Sequence, residues 1–384
     1  MRILLLVKNF DYGGAENHVR DLANELVRSG HQVWLMSGKG RQSGKLDKRV
    51  TQLDGRFYEW NFILLLIKLF LLVRRESIEV IHAHQRLPIL MAALTGNLCN
   101  VPTVATVHGD SRHDLRGNYV KRNLSSIIFI NEKVFNTYTE SFLIGNKIHY
   151  IPNGILLPGQ STLAENKGRH LSEENVSSSN KVLLYNPLKI LYISRIDKRH
   201  GQVITEIISK VLPEVKKEFP EVMFYIVGEG EGLEKIKIML SSDDYTEIRD
   251  SVVCENYSDN VYKFYLDADL VLGVGRVAAE SLVNGVPLLS VKNNHLGEII
   301  TRGNFEKMRF TNFVAIDSPP FTPDKAAELI IDFCHRRSYF KEEAIFLQKI
   351  ISEDQNINVV TNKITDIYSK ISRQNKKDVV KLTV

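Results

Sequence analysis

The sequence predicts an α/β protein built from two doubly wound parallel-sheet halves. Three observations predict it. Short apolar runs alternate with amphipathic stretches, the alternation occurs twice, and one polar segment separates the two series. The length of 384 residues agrees, because a chain of that size folds as two or three domains.

The first series begins with Ile3–Val7, which reads as a buried strand. From Glu16 to Arg28, apolar residues at Val19, Leu22, Ala23, Leu26 and Val27 mark one face of a helix. Gly30 is its stop signal, and His31–Met36 is the next strand. A helix at Phe62–Arg75, a strand at Val80–His84, a helix at Pro88–Leu98 and strands at Thr103–Val107 and Ile127–Ile130 continue the pattern. Gly159–Asn180 is rich in Ser, Asn, Glu and Lys and reads as a linker. The second series then runs as strand Ile190–Ile193, helix Gln202–Phe219, strand Met223–Val227, helix Gly232–Leu240, strand Leu270–Leu272, helix Val277–Asn284 and strand Pro287–Val291. Helical spacing at Val359, Ile364, Ile367 and Tyr368 precedes a lysine-bearing tail. The expected domains are 1–158, a linker 159–186, 187–355, and a terminal helix in 356–384 that packs back on the first domain.

Composition narrows the function classes. With 43% hydrophobic and 25% charged residues, the chain is neither disordered, collagen-like nor a disulfide scaffold. Cys99, Cys254 and Cys334 are too far apart for a zinc spacing and read as reduced thiols of a cytosolic protein. The start lacks a signal-peptide pattern. Phe62–Val73, interrupted by Lys68 and closed by Arg74 and Arg75, is shorter than the roughly 20 apolar residues of a spanning helix. It reads as a buried core helix in preference to one lying on a membrane. A net charge of +5 suits an anionic ligand or membrane surface, and no nucleic-acid motif accompanies it.

Candidate site residues fall at strand-to-helix junctions, where ligands of open α/β sheets bind. Gly13 and Gly14 let a ligand approach the backbone at a helix N-terminus, which favours an anion. They form no dinucleotide fingerprint, since the glycine spacing and the ribose-binding acid are missing. Gly38–Lys45 has the wrong spacing for a phosphate loop. His82 and His84 share a strand face and read as hydrogen-bonded residues rather than metal ligands. His108 ends the strand Thr103–Val107, at the ligand-binding edge. Asp267-Ala268-Asp269 resembles an acidic manganese string but reads as a strand cap.

In the second half, Arg195, Lys198, Arg199 and His200 precede a helix and could clamp a diphosphate. Gly228-Glu229-Gly230 follows the next strand. Gly273-Val274-Gly275-Arg276-Val277-Ala278-Ala279-Glu280 runs from strand into helix with an acid on the second turn. It fits a nicotinamide fingerprint in spacing, but such a fingerprint opens its domain, and this one comes late.

Taken in order, these pieces resemble family 4 of the GT-B-fold glycosyltransferases, a group of retaining enzymes that use nucleotide sugars. The resemblance is carried by Tyr12–Glu16, Ile81–His84, Thr106–Gly109, Ile151–Gly154, Ser194–Gly201, Ile226–Gly230 and the Glu280 helix. It implies two Rossmann-like domains facing a central cleft. It places Gly13 and Gly14 against the sugar donor and His108 beside the transferred sugar. Arg195 would hold the diphosphate and Glu280 the ribose hydroxyls, while Asn153-Gly154 would mark the hinge. Lys198, His200, Gly228, Gly273, Gly275 and Arg276 complete the expected donor site, with His108 and Arg195 as its catalytic pair.

The chain departs from the pattern in three places. Leu272 stands where the family has the first of two glutamates, with Arg276 a partial replacement. Ser194 replaces a glycine, and His200 replaces a lysine. A histidine near its ordinary pKa of about 6.5 is mostly neutral at pH 7 and makes a weaker clamp.

The resemblance implies no metal and no separate cofactor. It implies a bacterial cytoplasmic enzyme of polysaccharide or lipopolysaccharide synthesis, peripheral at the inner membrane face and acting on a lipid-linked or glycan acceptor. Acceptor contacts are expected in loops Arg41–Arg56 and Arg112–Arg122. Two alternatives remain open at this point. One is a sugar-nucleotide-binding partner subunit of a transferase complex. The other is a nicotinamide dehydrogenase, resting on Gly273–Ala278 alone.

Overall fold

The computed structural model describes residues 1–109, 115, 117–139, 147–158, 187–258, 260–293, 295–314 and 318–382. The expected linker and parts of the Arg112–Arg122 loop lie outside them. The chain divides into two compact units, Met1–Ile155 with Asp354–Val384, and Leu156–Glu353.

The first unit runs β1 (Arg2–Leu6), α1 (Gly14–Arg28), β2 (Gln32–Ser37), β3 (Thr51–Asp54), α2 (Phe62–Arg75), β4 (Val80–His84), α3 (Arg86–Cys99), β5 (Thr103–Val107), α4 (Asn118–Asn123), β6 (Ser126–Phe129), α5 (Glu132–Thr139) and β7 (Ile148–Tyr150). Its seven strands lie in the order β3-β2-β1-β4-β5-β6-β7, and every pairing is parallel. Parallel strands are covered on both faces, so alternate residues feed two separate cores. Leu4, Leu6, Ile81, Ala83, Ala105 and Val107 face α2 and α3. Ile3, Leu5, Val80 and Val104 face α1 and the terminal helix.

The second unit runs β8 (Lys189–Arg195), α6 (Lys198–Glu206), α7 (Leu212–Glu218), β9 (Met223–Glu229), α8 (Glu231–Leu240), α9 (Thr246–Arg249), β10 (Val252–Asn256), α10 (Tyr262–Asp267), β11 (Leu270–Gly273), α11 (Arg276–Val283), β12 (Leu288–Lys292), β13 (His295–Ile299), α12 (Phe305–Phe310), α13 (Pro323–His335) and α14 (Arg337–Gln355). The strand order is β10-β9-β8-β11-β12-β13. It is parallel except for β13, which pairs antiparallel with β12 and corrects the all-parallel expectation. The single helix expected over Gln202–Phe219 is α6 and α7 joined by a π-helical stretch, Ile207–Val211. Pro213, in the first turn of α7, lacks the N–H that an uninterrupted α-helix would use there.

Helix α15 (Ile357–Leu382) returns to the first unit. Val360, Ile364, Ile367, Tyr368 and Ile371 line its buried face and join the core against α1. Ile155 and Asn356 form a parallel bridge, closed by Ile155 N to Gln355 O at 2.8 Å and Ile357 N to Ile155 O at 2.9 Å. Gly154 is required by this approach, because a Cβ there would stand 2.6 Å from Ile357 Cδ1 and 3.1 Å from its Cα.

Helix α2 departs from its expected role as a core helix. Leu65, Leu69, Leu72 and Val73 are buried and Phe62, Leu66 and Phe70 half-buried against the same core, but Ile63, Leu64, Ile67 and Leu71 face solvent.

Candidate functional site

In the second unit the chain leaves β8 toward β9 and β10 on one side, and β11 begins the other side. The switch point therefore lies between β8 and β11, and the carboxyl ends of β8, β9 and β11 share one edge of the sheet. Arg195, Gly228 and Gly273 stand on that edge, and the N-termini of α6, α8 and α11 start just beyond it. Gly228 allows β8 and β9 to close, since a Cβ there would lie 2.0 Å from Ser194 O. Gly275 caps α11 at φ +59°, and its N–H donates to Asn312 O at 3.0 Å.

Arg195, Lys198 and Arg199 are exposed, as a phosphate clamp requires. Asp197 caps α6, its Oδ1 accepting from Arg199 N at 2.9 Å and His200 N at 3.1 Å. The same oxygen meets His200 Nδ1 at 2.9 Å. Burial pushes the Asp197 carboxyl up, but the bonds from His200 and Arg199 outweigh it and hold the group below its ordinary value. This qualifies the expected role of His200: Nδ1 is engaged by a carboxylate, and only Nε2 is left to face a donor.

Glu280 lies on the second turn of α11 with both oxygens held. Arg276 Nε donates to Oε1 at 2.7 Å, and the Tyr265 hydroxyl donates to Oε2 at 3.0 Å. Burial, followed by the Glu280 charge, pushes the Tyr265 phenol well above its ordinary value, which keeps it a donor. A carboxylate oxygen has two lone pairs, so each still has one for a ligand hydroxyl. Arg276 is thus the partner of Glu280. Leu272 is 1% exposed and packs with Tyr192 and Leu270 in the apolar core, a face where a carboxylate would be buried without a partner. Asp267 and Asp269 pair with Lys189 Nζ and Arg337, and Asp269 also accepts from Lys189 N at 2.9 Å.

In the first unit the switch point falls between β1 and β4. The β1 loop carries Gly13 and Gly14. A Cβ on Gly13 would collide with Glu16 Oε2, whereas nothing lies within 4 Å of one on Gly14. Gln85, at φ +67°, donates to Glu16 Oε1 at 2.9 Å and accepts from Lys8 N at 3.1 Å, tying this loop to the end of β4.

Strand alternation sends His82, His84, Thr106 and His108 to the face covered by α1 and α15. His82 bridges Tyr368 Oη at 2.5 Å and Thr106 Oγ1 at 2.7 Å. His84 Nδ1 and His108 Nε2 share a hydrogen bond of 2.9 Å. His18, on α1, stacks edge-on to both, with ring centroids 5.8 Å and 5.3 Å away. Burial, reinforced by the neighbouring rings, keeps His84 and His108 well below the ordinary histidine value, so both are neutral. One nitrogen from each of His18, His84 and His108 falls within a 4.8 Å set, the candidate metal group among the described residues. A shared proton satisfies His84 Nδ1 and His108 Nε2 without an ion. His108 Nδ1 is buried and has no hydrogen-bond partner, which leaves it for a ligand at this edge.

Sequence reasoning missed His18, Gln85, Asp197 and Tyr265. The first two follow Glu16 and His84 closely enough to have been tried as their partners. Nothing local marks Tyr265, fifteen residues before Glu280.

Comparison with known proteins gives two domain matches. The model described as Glycosyltransferase Family 4 matches residues 12–157, and that described as Glycosyl transferases group 1 matches residues 177–346. Among curated proteins, the gpi3 subunit of phosphatidylinositol N-acetylglucosaminyltransferase from Schizosaccharomyces pombe is 24% identical over 75% of this chain. An Arabidopsis thaliana protein, also named as one subunit of a phosphatidylinositol N-acetylglucosaminyltransferase, is 25% identical over 66% of this chain. The matches span 65% and 58% of those relatives' own lengths. Similar solved structures include Anabaena Alr3699/HepE in complex with UDP, at TM-score 0.70 and 17% identity, covering 96% of this chain and 100% of that one. A glycosyltransferase from Rickettsia africae reaches TM-score 0.66 at 15% identity, covering 96% and 98%. These structures share the fold.

Proposed function

Because the chain belongs to the GT-B-fold glycosyltransferases, its two halves carrying the two domain models of that family, we propose that it moves a sugar from a nucleotide-sugar donor to a lipid-linked or polysaccharide precursor with retention of configuration. The observation that carries this reading is the edge of the second unit, where Arg195, Lys198 and three helix N-termini flank the switch point beside the doubly held Glu280. Arg195 and Lys198 take the donor diphosphate, the N-termini of α6 and α11 add N–H groups, and Glu280 accepts from the ribose hydroxyls. Gly228 and Gly273 bring β9 against β8 and β11 against α11 at this edge, and Gly275, with only Asn312 Nδ2 near the place of a Cβ, leaves the backbone open to the nucleotide. In the first unit, Gly13 makes room for the Glu16 side chain, Gly14 has open space beside it, and His108 Nδ1 is available to donate to a sugar hydroxyl.

In the transfer, the bond from the anomeric carbon to the phosphate oxygen breaks and its electron pair goes to the diphosphate. Arg195 and the helix ends stabilise that charge as it develops. The acceptor oxygen attacks from the same face and its proton passes to the leaving phosphate, so no carboxylate nucleophile is needed. No metal or separate cofactor enters this scheme.

UDP in the Anabaena structure supports a uridine donor, and the curated relatives' names support a hexosamine donor and a lipid-borne acceptor. A lipid-linked acceptor is met at a membrane surface, so the reading includes peripheral association with the cytoplasmic face of a membrane.

A second reading keeps donor binding without turnover, as a partner subunit. Leu272 in the apolar core, the His200–Asp197 contact and the word subunit in both relatives' names favour it.

The test is nucleotide release from UDP-, GDP- and ADP-sugars with membrane extract as the acceptor source. Release with one donor, lost in Arg195→Ala and Glu280→Ala, is expected. Binding of UDP with no release, once a competent acceptor is supplied, selects the partner reading. No binding by any nucleotide sugar refutes both.

A further inference from the structure

We infer that the outer face of α2, with the turn before it, is a docking surface for an anionic lipid bilayer. Helix α2 is apolar nearly all round, FILLLIKLFLLVRR, yet it is a surface helix. A helix packed on one side only should turn polar residues to water on the other. Its inner stripe of Leu65, Leu69, Leu72 and Val73 is satisfied by the core against β4 and α3. Its outer face carries Ile63 (72% exposed), Leu64 (71%), Ile67 and Leu71, and Trp60 (81%) stands at its start. Folding of this unit gives no reason for those five side chains to be apolar. Contiguous exposed apolar surface of this kind marks an interaction site.

The chemistry around the face selects its occupant. Trp60 stacks on Tyr58 at 5.8 Å, an aromatic pair with the amphipathic character favoured at the water–lipid boundary. Arg56, Lys68, Arg74 and Arg75 are exposed at its borders. The Arg56 carbonyl is held by Asn61 Nδ2 at 2.7 Å, which fixes that residue beside the aromatic pair, and Lys68 is anchored on Asp54 O at 2.5 Å. Arg75 is paired with Glu76, and the exposed Asp54 and Glu59 offset part of Arg56, Lys68 and Arg74, which leaves a small positive excess. Apolar side chains within a cationic rim match an acyl boundary beneath anionic headgroups. A convex helix face meets a fluid surface without needing a complementary groove. At 14 residues the helix is about 21 Å long, fit to lie in the interface, and no described helix is long and apolar enough to cross a membrane. The surface gives the lipid-linked acceptor reading a physical contact, but it stands on exposure and charge alone.

The experiment is co-sedimentation of the full chain with phosphatidylglycerol/phosphatidylcholine vesicles and with pure phosphatidylcholine vesicles, at low and at physiological salt. Wild type is expected to pellet with the anionic vesicles and less so as salt rises. Ile63→Ser/Leu64→Ser/Ile67→Ser should lower the partition by at least about tenfold, and Arg56→Gln/Lys68→Gln/Arg74→Gln by a similar factor at low salt only. Ile238→Ser, an equally exposed aliphatic residue on α8, should change nothing. Should the triple serine variant fail to fold, Trp34→Phe leaves Trp60 as the sole tryptophan, and its emission should shift to the blue and be quenched by brominated lipid. No pelleting at low salt, or pelleting unaltered in every variant with Trp60 unquenched, overturns the inference. So does light scattering that finds a dimer lost in the same serine variant, which would give the face to a second copy. Nucleotide release without vesicles is measured separately, so failure of the transferase reading leaves a docking result intact, and the reverse.

Discussion

Glu280 illustrates how much of this site is set by single side chains. Its two oxygens are fixed by an arginine four residues ahead and by a buried tyrosine on another helix. Tyr265→Phe removes one hydrogen bond to a charged group and leaves the ring in place, a loss of about 2 kcal/mol. The carboxylate then turns freely about Arg276, and donor KM should rise by roughly an order of magnitude with kcat little changed. Steady-state kinetics at varied donor concentration measure the split, and an unchanged KM would mean that Tyr265 serves only packing. Arg276 shows how helical spacing exposes a pair: i,i+4 places it on Glu280, and that much was readable from the string itself. His200 shows the opposite. Its likeness to a clamp cation is a matter of position, whereas its ring is turned to the Asp197 cap.

At the scale of elements, α15 belongs to a unit whose other residues lie two hundred positions away. Ile364 is 1% exposed between α1 and the sheet. Ile364→Ala should destabilise the first unit by about 2–4 kcal/mol, the transfer and cavity terms together. Urea unfolding followed through Trp34, on β2, would read it; a loss under about 1 kcal/mol would mean that the helix contributes little to that core. The periodicity of Val359, Ile364, Ile367 and Tyr368 gave the helix, because helical spacing is local. Its residence was open to the eye only as an expectation until Ile155 and Asn356 were seen to bridge. Strand β3, β7, β10 and the antiparallel β13 were not legible, being three to five residues long and only partly apolar. Helix α2 was legible in extent to the residue but not in exposure, since a sequence that is apolar on every face does not say which face meets the core.

The whole molecule carries a pH dependence that follows from the buried histidines of the first unit. In the unfolded chain these rings titrate near 6.5. In the fold, burial holds His82 at about 3 and keeps His84 and His108 well below the ordinary value. Below about pH 6.5 the unfolded chain therefore binds protons that the folded chain refuses, and stability falls as pH drops, by about 1.4 kcal/mol per pH unit for each such ring. Above that pH the rings are neutral in both states and contribute no slope. The urea midpoint of the first unit should accordingly be clearly lower at pH 5.0 than at pH 7.5, and His82→Gln should flatten the difference. Equal midpoints in wild type would show that the rings are not buried neutral. By itself the sequence determined the α/β class, the two-half organisation, most helices and central strands, and the strand-to-helix junctions where the candidate residues stand, because hydrophobic period and glycine placement act over a few neighbours. Only the tertiary structure decided that His18, His84 and His108 meet, that Tyr265 holds Glu280 and that α2 leaves one apolar face to solvent. Those are relations between elements distant in the chain, fixed by sheet order and packing, and no local spacing encodes them.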